Sequence, residues 1–497
     1  MRNARSASSA MSVRSRAGIA FAGIALLDCA AGPDFHAPAP PSVATYTSEP
    51  QPASAGESMQ VPGGVQRFVP ADTVGGGWWR SFGSPMLDKL VGEALQNSPT
   101  LEQARMRLEQ ARQDVLAQAG ATKWPQVDAS LSATRQKPDP AAVGISSLTN
   151  GRSFPSFTLY SAKVNVSYVL DLSGANRRAL EALAAEVDYQ QFELDAARLS
   201  LAGNVVTTAV RRASLAKQIA LSEDLLADQS HQLEITEQRY EAGGVSRQEL
   251  LSERSQVEQM RASLAPLRAQ LAQADHQLAV FVGRPPAELR QGGDIDPAAI
   301  DLDALVLPAE VPLTLPSTLA QQRPDIRASE ALLHQASANV GVATADLYPR
   351  LTLSASTGPE GVSIGNLLNV WSVGAGLTQP LFHGGELQAR KRSAQAAYEA
   401  ALGAYRVTVL QGLQQVADAL LALQQDAMEL QSRDKAQRDA QASARIASER
   451  FAAGGISQLA LLDAQRQQTQ TSLDRTKVQA QRLVDTAALY QALGARP

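Results

Sequence analysis

The chain has 497 residues, of which 19% are charged and only 5% aromatic, with a formal net charge of −4 and a single cysteine. That charge, with no basic patch carrying interleaved aromatics, argues against nucleic-acid binding. One cysteine excludes an internal disulfide and any thiolate cluster for metal or redox chemistry, and the Ala- and Gln-rich tracts suit long helices better than an aromatic core.

In chain order, Arg2, Arg5, Arg14 and Arg16 accompany the apolar run AGIAFAGIALL at 17–27. This is a charged n-region followed by an h-region too short to cross a bilayer as a helix, so residues 1–28 are expected to be a signal peptide. Cys29, with Leu26 upstream, resembles the lipid-modified cysteine of bacterial lipoproteins. Asp28 departs from that pattern, which has a small residue immediately before the cysteine. No later apolar run reaches the ~20 residues of a membrane-spanning helix, so any membrane insertion must use strands. Residues 29–84 form an N-terminal segment.

From 87 to 120, Leu87, Leu90, Val91, Leu95, Leu101, Ala104 and Leu108 fall at helical spacing. QVDASLSAT (126–134) then alternates apolar and polar residues strictly, the signature of a strand with one apolar face. A second strand sets Tyr160, Ala162, Val164, Val166 and Tyr168 against Ser161, Lys163, Asn165 and Ser167. The strands are expected at about 124–135 and 158–171. After them the chain carries no proline from 156 to 265, a positive sign of helix because helix interiors exclude it. A helix from about 175 to 238 would be roughly 95 Å long at ~1.5 Å per residue, with an antiparallel partner from about 247 to 282.

This plan occurs twice. RYEAGGVSRQELL (239–251) returns 211 residues later as RFAAGGISQLALL (450–462), and the same offset pairs Gly174 with Gly385 and Gly283 with Gly494. Upstream, Trp124-Pro125 pairs with Tyr348-Pro349 at an offset of 224, so one loop between 136 and 157 is 13 residues longer in the first copy. Repeat 1 spans 85–283, a connector 284–314 and repeat 2 315–494, with strands at about 348–357 and 371–381. Each Gly-Gly phrase marks the tip of a helical hairpin. Glycine supplies the left-handed backbone that ends one helix, and Ser246 or Ser457 caps the next.

Four alternating strands with Trp124, Tyr160, Tyr168, Tyr348 and Trp371 at or near their ends resemble outer-membrane barrel strands and their interfacial girdles. Backbone groups in lipid must all be paired, so an open four-stranded sheet cannot stand there and the barrel must be shared between subunits. Two chains would give eight strands and a filled lumen, three would give twelve and a pore.

CAAGPDFHAP (29–38), WWRSFGSPMLDKLV (78–91), YVLDLSGANRRALEAL (168–183), LPSTLAQQRPDI (315–326) and QPLFHGGELQAR (379–390) together resemble the TolC-like outer-membrane factor family, in its lipoprotein branch of efflux proteins. The resemblance implies a mainly α fold with a membrane β-barrel, in which a homotrimer forms a twelve-stranded outer-membrane barrel continued by a periplasmic α-helical tunnel. It further implies an outer-membrane location in a Gram-negative bacterium, a periplasmic adaptor and an inner-membrane pump of the RND type. The chain would be a passive gated conduit with no cofactor, no metal and no catalytic residue. By resemblance Leu459 and Asp463 form apolar and acidic constriction rings, and their i,i+4 spacing puts both on one helix face. Their counterparts in the first copy are Gln248 and Ser252. The tips, Gly243, Gly244, Val245 and Ser246 with Gly454, Gly455, Ile456 and Ser457, are the expected adaptor contact, because small residues let another hairpin approach the backbone.

Three rivals stand beside this reading: a channel for type I protein secretion, a periplasmic coiled-coil adaptor, and an enzyme built on GVSIG (361–365), which matches the Gly-x-Ser-x-Gly elbow. That elbow needs a strand before it and a helix after it, whereas here it falls between two strands. An adaptor would leave the two strand pairs and the duplication unexplained.

Overall fold

The computed structural model describes residues 30–48, 54–55, 64–73, 75–137, 155–289 and 295–495. The expected signal peptide, Cys29 and most of the longer loop between the first two strands lie outside the described residues. The elements in order are β1 (Ser54–Ala55), β2 (Gln66–Pro70), α1 (Pro85–Asn97), α2 (Pro99–Lys123), β3 (Gln126–Gln136), β4 (Phe157–Leu170), α3 (Ala175–Glu241), α4 (Arg247–Phe281), β5 (Glu310–Leu313), α5 (Pro316–Gln322), α6 (Pro324–Ala345), β6 (Arg350–Gly361), β7 (Leu368–Thr378), α7 (Glu386–Ala452) and α8 (Gln458–Ala492). The contacts gather them into two compact units: described residues of 1–37, 109–188 and 330–404 in one, and of 38–108, 189–329 and 405–497 in the other.

The first unit carries a four-stranded antiparallel sheet in the order β3-β4-β6-β7. Its register lines up like with like. Val127, Ala129, Leu131 and Ala133 lie opposite Val166, Val164, Ala162 and Tyr160, while Asp128, Ser130 and Ser132 lie opposite Asn165, Lys163 and Ser161. The pattern continues through Leu353, Ala355 and Thr357 on β6 to Ala375, Val373 and Trp371 on β7. One face of the sheet is therefore apolar along these residues, with Arg135, Thr158 and Asn369 beyond them toward the strand-connecting loops, and a slip of one residue would turn it inside out. Serine pairs stitch the other face: Ser132 with Ser161 at 2.8 Å and Ser356 with Ser372 at 2.9 Å.

In this unit two of the sequence phrases noted above meet. The irregular segment following Cys29 lies against the β4–α3 junction, where Ala31 N–H donates to the Ser173 carbonyl at 2.8 Å. Arg178, nearly buried, donates to Asp34 and Glu181 at 2.7 Å each, and Phe35 stacks on His334 with ring centres 4.5 Å apart. The Arg178 guanidinium holds the Asp34 carboxyl below its ordinary range.

The second unit holds the helical core. Trp78, Trp79 and Phe82 are buried beside Leu87, Leu90 and Val91, with Trp78 stacked on Tyr490 at 5.1 Å. Ser84 accepts from the Leu87 N–H and caps α1. The helical spacing of 87–120 thus belongs to two helices, because Ser98 is extended before Pro99 and the residue before proline disfavours the helical region. Sequence reading also missed a small sheet, β1-β2-β5, in which β2 runs parallel to β5 across some 240 residues of chain, joining the N-terminal segment to the connector. α4 continues through Pro266, whose missing N–H leaves the Ala262 carbonyl without its helical partner.

Candidate channel wall and gate

The sheet has the chemistry of a membrane wall. Trp124, Leu131, Trp371 and Val373 are each more than two-thirds exposed, and so are Leu381 and Phe382 just after β7. A soluble chain rarely exposes so contiguous an apolar surface. Both edge strands, β3 and β7, lack a partner on one side among the described residues. β3 and β7 run in opposite directions, so pairing the β7 edge of one copy with the β3 edge of the next keeps the up-and-down alternation of a barrel. No described helix is long and apolar enough to cross a membrane.

The tips repeat one backbone design. At the end of α3, Gly244 N–H donates to the Arg239 carbonyl at 2.7 Å and Gly243 N–H to that of Tyr240 at 3.0 Å. At the end of α7, Gly455 and Gly454 make the same bonds to Arg450 and Phe451 at 2.8 and 2.9 Å. This is a Schellman stop, and it places Gly243 and Gly454 in the left-handed region at φ +75° and +73°. The Ser246 hydroxyl then accepts from Glu249 N–H at 3.2 Å and that of Ser457 from Ala460 N–H at 3.3 Å, starting α4 and α8. A Cβ on Gly243 or Gly454 would meet no atom within 4 Å, so both tips present open backbone.

Leu459 is 61% exposed on the first turn of α8, and Asp463, one turn on, is exposed too. Asp463 is paired: Arg466 Nη2 donates to its Oδ1 at 2.9 Å. That partner was absent from the sequence reading of an acidic ring, and it offsets part of the repulsion such a ring would carry. A cleft of about 390 Å³ opens beside these residues between the first turns of α4 and α8, lined by Gln248, Ser252, Glu253, Gln458 and Leu459 among others.

Gln458 is the residue that sequence reasoning missed. Only 8% exposed, its Nε2 donates to Thr236 Oγ1 at 2.9 Å and, more weakly, to Glu253 Oε1 at 3.5 Å. Its Oε1 accepts from Arg239 Nη1 at 3.2 Å. Arg239 therefore reaches across to the second repeat's tip. Burial pushes the Glu253 carboxyl above its ordinary range. The repeat offered a signal, since the position equivalent to Gln458 is Arg247, which is exposed. GVSIG begins at the last residue of β6 and runs into the turn before β7, so no helix follows its serine.

An apolar sheet face with open edges, joined in sequence to paired long helices with glycine tips, defines a subunit of an outer-membrane channel. The chain belongs to the outer membrane efflux protein family, whose model matches residues 90–284 and 315–495. It is 31% identical to the pyoverdine export outer membrane protein OpmQ of Pseudomonas putida, over 84% of this chain and 87% of that protein. It is 28% identical to ArpC, the outer membrane protein of an antibiotic efflux pump of Pseudomonas putida, over 94% and 92%. Among solved structures the outer-membrane channel OprN superposes with a TM-score of 0.79 at 27% identity, covering 94% of this chain and 99% of that one. The chain is thus an outer-membrane efflux channel protein, of the TolC-like kind.

Proposed function

We propose that three copies of the chain close their sheets into one twelve-stranded barrel and form the outer conduit of a tripartite pump. A periplasmic adaptor would bind the tips, and an inner-membrane transporter of the RND type would supply cargo and energy. The observation that carries the reading is the sheet itself, with one face mostly apolar across all four strands and both edges unpaired among the described residues. Such a sheet is stable in lipid only when copies complete it. Twelve strands leave a lumen that eight would fill.

In this reading Cys29 carries the lipid anchor, and Ala30–Phe35 hold that anchor to the β4–α3 junction through Arg178. Leu459 and Asp463 form the gate. Gly243, Gly244, Val245 and Ser246 with Gly454, Gly455, Ile456 and Ser457 form the adaptor contact, where the open backbone admits a second hairpin. Gln458 ties the two hairpin tips of one chain together, so adaptor binding that draws Gln458 from Thr236 and Arg239 would free the gate. The test is a deletion strain assayed for drug susceptibility, with the chain restored on a plasmid. Restored resistance that depends on a co-expressed adaptor supports the proposal. Unchanged susceptibility with loss of a secreted protein instead would support the secretion channel.

A further inference from the structure

The polar face of the sheet carries four charged strand residues: Asp128, Lys163, Arg350 and Glu360. Three of them are neutralised within the chain. Lys163 pairs with Glu360, and Arg350 pairs with Asp346. Asp128 has no ion-pair or hydrogen-bond partner among the described residues. Its row across the sheet is Asn165, Ser356 and Ser372, and Asn165 Nδ2 is committed to Ser130 Oγ at 2.9 Å. The remaining neighbour of Asp128 would be the β7 of an adjoining copy, if edges pair as proposed above. The residues of β7 on this face are Leu368, Val370, Ser372, Gly374, Gly376 and Thr378, none of them charged. Whatever the register of that pairing, it brings no cation to the carboxylate.

We infer that Asp128 is a specificity-determining residue of the barrel lumen, a carboxylate per copy near the end of β3 that follows α2, favouring cationic over anionic cargo. This rests on the barrel reading. Rings of like charge lining a pore raise the local concentration of the opposite ion and repel the same sign. The effect of such a ring is screened by salt within a Debye length of about 10 Å at 0.1 M. The filter is separate from the gate, because it lies on β3 while Asp463 lies on α8.

Planar-bilayer recording of the purified protein under a potassium chloride gradient tests this, with the wild type, Asp128→Asn and Asp128→Lys each placed in an Asp463→Asn background. With the tip carboxylate neutralised, the parent should still show a cation-selective reversal potential at low salt. Asp128→Asn should move that potential toward zero, and Asp128→Lys should carry it past zero toward anion preference. Equal reversal potentials for the three proteins would overturn the assignment. Absence of any channel from the parent, despite folded protein, would instead count against the barrel reading beneath it, and with it this inference.

Discussion

The two helical hairpins are built on the same backbone and bury different chemistry. α3 and α7 each have 67 residues, and α4 and α8 each have 35, joined by tips with matching glycine φ values and serine caps. Inside the first hairpin, Arg212 bonds Asp275 at 3.0 Å, with both side chains at most 14% exposed. The same positions in the second are Leu423 and Thr486. Conversely, the second hairpin sets Asp426 against Asp485 where the first has the buried Leu215 and Ala274. Duplication fixed the path of the chain, since caps and left-handed glycines are local backbone requirements. The side chains between them were free to part.

That contrast can be broken most sharply at Gln458. Gln458→Ala takes one partner from the buried Glu253 and from Thr236, which keeps its bond to the Gln232 carbonyl, and removing one partner of a buried polar group costs about 1–3 kcal/mol. Arg247→Ala, at the equivalent exposed site, should stay within about 0.5 kcal/mol. Urea unfolding of the two variants in detergent measures the gap, and equal losses would mean the tips are equivalent. Next come the glycines. Gly243→Ala and Gly454→Ala should each cost about 1–2 kcal/mol, and by the same amount, because an L-residue is forced into the left-handed region at both. Unequal costs in the same unfolding experiment would show that the shared backbone is only superficial.

The carboxyl pair gives a pH test. Burial, followed by the neighbouring Asp485, raises Asp426 from an ordinary 3.8 to about 7. A folded-state value above the unfolded one means the folded chain holds its proton longer. The contribution of Asp426 is therefore fully present below pH 3.8 and is lost as pH rises to about 7. Asp426→Asn should flatten that part of the melting-temperature profile, whereas Leu215→Asn in the first copy should leave its slope in place. An unchanged slope in Asp426→Asn would remove the pair from the account. The smallest effect on stability is expected at Asp463, the proposed gate residue. Asp463→Ala should change unfolding by no more than about 0.5 kcal/mol and leave assembly intact, yet make cells more permeable to large antibiotics. Normal permeability with a well-folded variant would reject the gate role.

Much of this was legible because local rules wrote it. The strict alternation of 126–134 is the face pattern of β3, and the Gly-Gly-x-Ser phrases are the Schellman stops and serine caps seen at both tips. What stayed hidden depends on distant partners. β2 and β5 are five and four residues long and pair across the chain, so neither carries a pattern of its own. Pro99 was read through because the apolar spacing of α1 and α2 continues across it. Gln458 looked like an ordinary first-turn residue, since glutamine is common in these helices and only the fold brings Thr236, Glu253 and Arg239 to it.

In the proposed assembly one polypeptide supplies a third of a lipid-embedded cylinder. Native mass spectrometry of the mature protein released from detergent tests it most directly. A complex of three chains is expected, persisting until the sheet edges are disrupted by heat. A single chain, soluble without detergent and with the apolar face of β3, β4, β6 and β7 folded against its own interior, would contradict it.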